Sequence, residues 1–429
     1  MFYPAKILQF FALTGCFLSA GIASPAFSQS LETILYNGAL GNTPDSQGWL
    51  AYGITPFSGA TQVANSGYTT LNALTSGTAG YSNYRPTQAT LVNSAFPALN
   101  RTNGYSVSFQ ARLNSESHSS DRNGDGLIDR AGFSLTALSS DRQGIELGFW
   151  TDEIWAQRGG TSSTLFTHSP TERVLVPTTA MTNYNLLVLG SNYYLSANDV
   201  VILRGTVQNY TAFSIAGTGL PYNPYTTANF LFIGDNTSSG ASNSDIASLV
   251  VNTAKLGTSG NDTLNGTASD DLLNGLAGSD SINAGAGNDT IIGGDGNDRI
   301  AGDSGNDREI GGNGNDSFVY DTNAAFTTSA VGLDTILDLA ATDKIILDKT
   351  TFTALASVAG AGFSAASDFA VVSTESAVAT SSARIVYNTS NGGLYYNQNG
   401  SEAGLGTGAQ FATLFGKPTL SAANFSIQL

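Results

Sequence analysis

Residues 257–319 repeat a nine-residue unit seven times without losing phase: GTSGNDTLN, GTASDDLLN, GLAGSDSIN, AGAGNDTII, GGDGNDRIA, GDSGNDREI and GGNGNDSFV. The sixth position is aspartate in every copy (Asp262, Asp271, Asp280, Asp289, Asp298, Asp307 and Asp316). The eighth is Leu264, Leu273, Ile282, Ile291, Ile300, Glu309 and Phe318. A flexible glycine-rich linker has no reason to keep register, so a repeating structure is required. Six turn residues ending in Asp, then three residues of which the middle one is apolar, predict a coil with one inward side chain per strand. Glycines permit the positive φ angles of such turns and expose their carbonyl oxygens. Each turn then offers a carboxylate and several carbonyls, the hard oxygen set that calcium prefers. A core one residue wide does not offset chain entropy, so bound cations are expected to be part of the fold.

This run resembles the RTX nonapeptide repeats, a parallel β-roll that binds Ca²⁺ between stacked turns. The resemblance implies an ion between turns two copies apart. That pairs Asp262 with Asp280, Asp271 with Asp289, Asp280 with Asp298, Asp289 with Asp307 and Asp298 with Asp316, giving five complete sites. With affinities of roughly 10⁻⁴ to 10⁻³ M, a tenfold excess of calcium contributes ~1.4 kcal/mol per ion and ~7 kcal/mol in all. That matches the net stability of a whole domain. Glu309 breaks the pattern, because a lone carboxylate facing inward is costly. Either Ile310 turns in through a bulge or that coil is locally weak.

Upstream, residues 31–253 hold short alternating runs separated by Gly, Asn, Ser and Pro. They include "YSVSFQARL" (105–113), "AGFSLTAL" (131–138), "GIELGFW" (144–150), "YNLLVLG" (184–190), "NFLFIGD" (229–235) and "IASLVVN" (246–252). Period-two alternation with β-branched and aromatic residues predicts an all-β sandwich. The stretch "GFSLTALSSDRQGIELGFWTDEIWAQ" (132–157), with "FLFIGDN" and "SDIASLVVN", resembles concanavalin A-like, laminin-G-type jelly rolls. That family implies a carbohydrate- or surface-binding module. Trp150 and Trp155 suit either sugar stacking or the core. A second calcium candidate is "DRNGDGLID", with Asp121, Asn123, Asp125 and Asp129 at positions 1, 3, 5 and 9 and Gly126 at 6. It lacks the glutamate of an EF-hand, Gly132 standing at position 12. The alternative is a solvated hairpin loop.

Residues 320–429 contain strand-like "SARIVYN" (382–388) and "GGLYYNQNG" (392–400), and one possible helix, "KTTFTALASVAG" (349–360). "VGLDTILDLAATDKIILDKTTF" (331–352) and the ending "NFSIQL" resemble the segment that caps many bacterial RTX rolls and often carries a type I secretion signal. The N-terminus reads instead as a cleaved export signal, residues 1–28, with Lys6, an apolar stretch, and Ala26 and Ser28 before the cleavage point. "LTGC" doubles as a lipobox that would acylate Cys16, the one cysteine, so disulfides cannot staple the exported chain. No transmembrane segment is expected in the mature chain. A formal charge of −16, with only 17 Lys and Arg, excludes a nucleic-acid footprint.

No H-E-x-x-H or G-x-S-x-G occurs. The best glycosidase pair is Glu146 with Glu153. The expectation is therefore an all-β, secreted or surface-exposed calcium-binding protein: sandwich, roll and small β-rich cap. A polysaccharide hydrolase and a structural surface component are the alternatives.

Overall fold

The computed structural model describes residues 31–52, 60–73, 79–85, 90–119, 121, 124–129, 131–158, 167–212, 223–235, 240–360 and 362–429. The leader and Cys16 lie outside these, as does Asn123.

The alternating runs pair into two antiparallel sheets. The back sheet has the order Val200–Thr206, Asn192–Ala197, Thr182–Leu189, Tyr105–His118, Gly240–Thr253, Thr69–Asn72 and Thr61–Ala64. Leu31–Asn37 joins it along Gly240–Thr253. The front sheet runs Thr167–Leu175, Glu153–Arg158, Gln143–Phe149, Phe133–Leu138, Leu231–Asp235, Ala79–Ser82 and Ala51–Tyr52. The chain crosses between the sheets several times, with Phe133–Leu138 to Thr167–Leu175 running consecutively in the front sheet and Thr182–Leu189 to Val200–Thr206 consecutively in the back one. Alternation explains the core: Val107, Phe109, Ala111 and Leu113 of one strand meet Phe133, Leu135, Ile145, Leu147 and Phe149 of the other sheet. Phe109 stacks on Tyr184 at 5.1 Å and meets Phe149 edge-on at 5.9 Å.

The nonapeptides wind into a flattened parallel coil, and alternate copies fall on opposite sides. Thr263–Asn265, Ser281–Asn283, Arg299–Ala301 and Ser317–Tyr320 form one sheet. Leu272–Ala277, Thr290–Asp295 and Arg308–Asn313 form the other, begun by Lys255–Leu256. The eighth-position residues Leu264, Leu273, Ile282, Ile291, Ile300 and Phe318 fill the interior.

The C-terminal part continues both sheets. Asp334–Ile336 adds in parallel to Arg308–Asn313, and Lys344–Asp348 to Ser317–Tyr320. Phe326, Phe352, Tyr396 and Phe411 close the end of the core with ring centroids 5.1–5.8 Å apart. Residues 349–360 form turns, correcting the expected helix. Asp348 Oδ1 accepts from the Thr350 N–H at 2.7 Å, and Asp368 takes the Ala356 and Ser357 N–H groups. These carboxylates hold the N–H groups outside a helical ladder.

The even-numbered copies press against the back sheet. Leu272, Ile292 and Ile310 pack with Leu187, Ala254 and Leu337. Asn274 Nδ2 donates to the Asn103 carbonyl at 2.8 Å, and Arg204 lies 4.6 Å over the Phe415 ring.

Candidate metal centre

The repeated aspartates form two stacks, one on each side of the coil. In each, the backbone N–H of one aspartate donates to Oδ1 of the aspartate eighteen residues on. The first stack links Asp262, Asp280, Asp298 and Asp316 at 2.8–2.9 Å. The second links Asp271, Asp289 and Asp307 at 2.7–2.8 Å. Position five carries a ladder in the opposite sense. Asn261, Asp270, Asn288 and Asn297 each accept, through Oδ1, the N–H of position five two copies later, at 2.8 Å.

Five of these carboxylates keep one oxygen with nothing to bond. Oδ2 of Asp280, Asp289, Asp298, Asp307 and Asp316 is buried and has no hydrogen-bond partner. An unpaired buried carboxylate oxygen is costly, and five at one repeating position suit a bound cation. Calcium fits, because its ligands are carboxylate and carbonyl oxygens in flexible number. Among the described residues no three His, Cys, Asp or Glu side chains converge, so carbonyls must complete each sphere.

The first two copies differ from the other five. Asp262 Oδ2 accepts from Thr258 N and Oγ1 at 2.5 and 2.9 Å, and Asp271 Oδ2 from Thr267 N and Oγ1 at 2.6 and 2.8 Å. From the third copy on, positions two and four both adopt positive φ, for example Gly294 at 115° and Gly296 at 141°. A Cβ at Gly296 would collide with the Gly278 carbonyl, which is why that turn needs glycine.

Burial governs the electrostatics. Without a metal's charge, it pushes the carboxyl of Asp289 up to about 8, Asp307 to about 7 and Asp298 to about 6. Asp280 and Asp316 are raised by burial as well.

Two aspartates outside the seven copies extend the stacks. Asp307 N donates to Asp334 Oδ1, and Asp316 N to Asp343 Oδ1, both at 3.0 Å. Their signal was in the sequence: "LDTI" and "TDKI" lie nine residues apart and in phase with the repeat. One inserted unit, around the short helix Thr328–Val331, hides that continuity.

Glu309 stays in register between Ile291 and Ile336, with no bulge, while Ile310 faces the sandwich. Its side chain is 1 % exposed and Oε2 is unpartnered. Burial, then Asp307 nearby, raises its carboxyl well above the usual range.

The Asp121 loop has a different arrangement. Asp121 accepts from the N–H groups of Gly124 and Gly126 at 2.7 and 3.0 Å, and Asp125 from Leu127 at 2.8 Å. Asp129 is buried and accepts from the His168 N–H at 3.0 Å. These are contacts of three of the four residues proposed for this loop, Asn123 lying outside the described residues.

Both tryptophans in question are buried. Trp150 stacks between His118 at 4.1 Å and His168 at 5.2 Å, so two histidines fifty residues apart share one cluster. Burial lowers the His168 pKa. Glu153 lies 3.2 Å from both His168 Nε2 and Arg173 Nη1, and Glu146 accepts from Gln157 Nε2 at 2.8 Å and Tyr225 OH at 2.5 Å. Strand register sets Glu146 opposite Gln157 and Glu153 beside Trp150. Gln157 and His168 are themselves paired across neighbouring strands, so the two carboxylates contact adjacent side chains.

The geometry defines a metal-binding parallel β-roll set against an antiparallel sandwich. Residues 256–291 and 284–318 match the family described as RTX calcium-binding nonapeptide repeat (4 copies), so this segment is a calcium-binding RTX roll. That match covers the roll, leaving sandwich and cap outside it. Comparison with curated proteins finds no significant match. Solved structures similar to the chain include "Cellulose induced protein, Cip1" (10% identity, 52% of this chain and 96% of that one, TM-score 0.32). Another is alginate lyase A1-II', a member of polysaccharide lyase family-7 (10%, 53% and 95%, 0.28). A third is the VIP36 exoplasmic/lumenal domain in a Ca²⁺/Man3GlcNAc-bound form (10%, 47% and 83%, 0.28). All three scores are low, and nothing about this chain's ligand follows from them.

Proposed function

We propose that this is an exported protein whose roll folds on calcium outside the cytoplasm and holds the sandwich as a recognition module for a glycan or cell-surface polymer. The carrying observation is the set of five buried, unpartnered Oδ2 atoms. Asp280, Asp289, Asp298, Asp307 and Asp316 each supply one of them, and turn carbonyls complete the sites. Bound calcium supplies the positive charge that lets the stacked carboxylates ionise together. Asp334 and Asp343 terminate the stacks in the cap. At micromolar calcium or below, sites of ~10⁻⁴–10⁻³ M affinity stay empty and the ionised stacks repel. Outside the cell they fill, so folding follows export. Export is supported by the leader-like N-terminus; among the described residues no helix is long and apolar enough to cross a membrane.

The test is circular dichroism and small-angle scattering of residues 29–429, titrated with Ca²⁺ from a chelated state. The expected result is compaction and gain of β signal at 0.1–1 mM, about the range of extracellular modules. An unchanged spectrum and radius would sink the reading. Reducing-end release from polysaccharides separates a hydrolase from a binding module.

A further inference from the structure

Where the even-numbered copies meet the back sheet, their polar residues enclose a cavity of about 290 Å³. The sandwich wall includes Ser106, Ser108, Asn185, Ser248 and Asn252, and the roll wall Asp270, Asn288, Thr290 and Arg308. The volume lies at the lower edge of the ~300–1,000 Å³ typical of small-ligand pockets. A second cavity, of about 160 Å³, shares Asn252, Asp270 and Asp271 with it.

Three buried polar atoms of this lining have no partner: Arg308 Nη1, Asn185 Oδ1 and Asn252 Oδ1. Arg308 is only 4 % exposed. Its Nε and Nη2 both donate to Thr290 Oγ1, at 3.2 and 3.0 Å, which leaves the third nitrogen idle. Asn185 spends Nδ2 on Ser108 Oγ at 2.7 Å, and its carbonyl oxygen is left over. Buried polar atoms are nearly always paired, so one donor and two acceptors in one cavity point to a missing partner.

The charges narrow its chemistry. Asp199, in the sandwich, and Asp270 oppose the Arg308 guanidinium. Asp270 is the one acid at position five of the seven copies, where the others are Asn or Ser. An anion would gain Arg308 but meet two carboxylates, and a metal ion would meet the guanidinium. A hydroxyl both donates and accepts, so a neutral ligand with several hydroxyls satisfies all three idle atoms.

We propose that this cavity binds a neutral, hydroxyl-rich ligand, a hexose unit of a glycan chain, and that it exists only when calcium has folded the roll. The proposal rests on the glycan reading above and gives it a site. Calcium dependence follows from the wall itself: Thr290 and Arg308 directly follow Asp289 and Asp307 in the metal stack.

The test uses residues 29–429 in 10 mM Ca²⁺ or in excess chelator. The probes are glucose, galactose, mannose, cellobiose and maltose, with glucuronate and inorganic phosphate as charged controls. Saturation-transfer NMR detects binding and calorimetry gives affinity. Ser248→Trp fills the cavity from the sandwich side, away from the metal stack, and Asn185→Leu removes one idle acceptor; calcium-dependent melting checks that both fold. Expected is binding of a neutral sugar in calcium, its loss in chelator, and a weakening of about tenfold or more in either variant, the size of one lost hydrogen bond. Unweakened binding in both variants overturns this site while leaving the glycan reading standing. Preference for glucuronate or phosphate overturns the ligand class. Binding of no probe overturns both, the cavity then holding water alone.

Discussion

Asp298→Asn should have opposite effects with and without calcium. Asp298 sits mid-stack: Oδ1 accepts the Asp280 N–H, and Oδ2 is one of the five unpartnered oxygens. Asparagine keeps an acceptor for the N–H but replaces the idle oxygen with an uncharged amide. In calcium the variant loses one ion, or two if Asp298 serves the sites on both sides of it. At tenfold excess that is ~1.4–2.8 kcal/mol. For a unit the size of roll plus cap, a melting point falls ~2–4 °C per kcal/mol, so the loss is ~3–11 °C. In chelator the sign reverses. Burial raises the Asp298 carboxyl to about 6, above its unfolded value of ~3.9. The metal-free fold therefore prefers the protonated acid and carries a penalty at pH 8, where the group is ionised. Asparagine removes that penalty, on the order of 1–3 kcal/mol at 1.36 kcal/mol per unit. The assay is thermal melting at pH 8 in 10 mM Ca²⁺ and, in chelator, the residual β signal of the roll, with calcium counted by equilibrium dialysis. A shift of the same sign in both conditions would falsify the metal assignment. Asp262→Asn is the control: Thr258 already occupies its Oδ2, so the ion count should hold.

Three further outcomes follow from the same geometry. Glu309→Leu should raise the melting point in calcium by ~1–3 kcal/mol equivalent, since it replaces a buried carboxyl with an unpartnered oxygen by the residue type of neighbouring rungs; a lower melting point would mean that Glu309 is itself a ligand. Gly296→Ala should cost ~1–3 kcal/mol or more from strain at φ 141° plus collision with the Gly278 carbonyl, read as a lower calcium-saturated melting point. Metal-free protein should gain stability as pH falls from 8 to 6, because Asp289 (about 8), Asp307 (about 7) and Asp298 (about 6) have folded values above their unfolded ones. The gain is read as β signal of the calcium-free roll by circular dichroism; no increase between pH 8 and pH 6 would contradict it.

The roll is the most legible part of the sequence because its period is set by local chemistry. The aspartate at every ninth position fixes the turn, and Leu264, Ile282 and Ile300 mark the inward face without reference to any distant residue. Strand alternation likewise exposes the sandwich core in "YSVSFQARL" and "GIELGFW". Less legible is what depends on which side of the coil meets something else. Leu272, Ile292 and Ile310, apolar residues outside the eighth position of even copies, make sense once those copies lie against the back sheet. The difference between early and late copies was also present, in Thr258 and Thr267 at position two, but its meaning is a hydroxyl reaching a carboxylate. The helix expected at 349–360 failed because Asp348 and Asp368 draw the backbone N–H groups to themselves.

Alternation of copies between two sides restricts how such a gene can lengthen. Inserting or losing one winding copy before Arg308 would exchange the sides of every later rung, turning Arg308 and Ile310 from the sandwich and delivering Asp334 and Asp343 to the wrong stacks, whereas the extra unit around Thr328–Val331 is looped out and keeps them in place. Slippage of eighteen preserves both contacts. Tract-length variation among descendants of this sequence should therefore occur in even numbers of units, with odd changes confined to chains that have lost either the junction or the terminal segment.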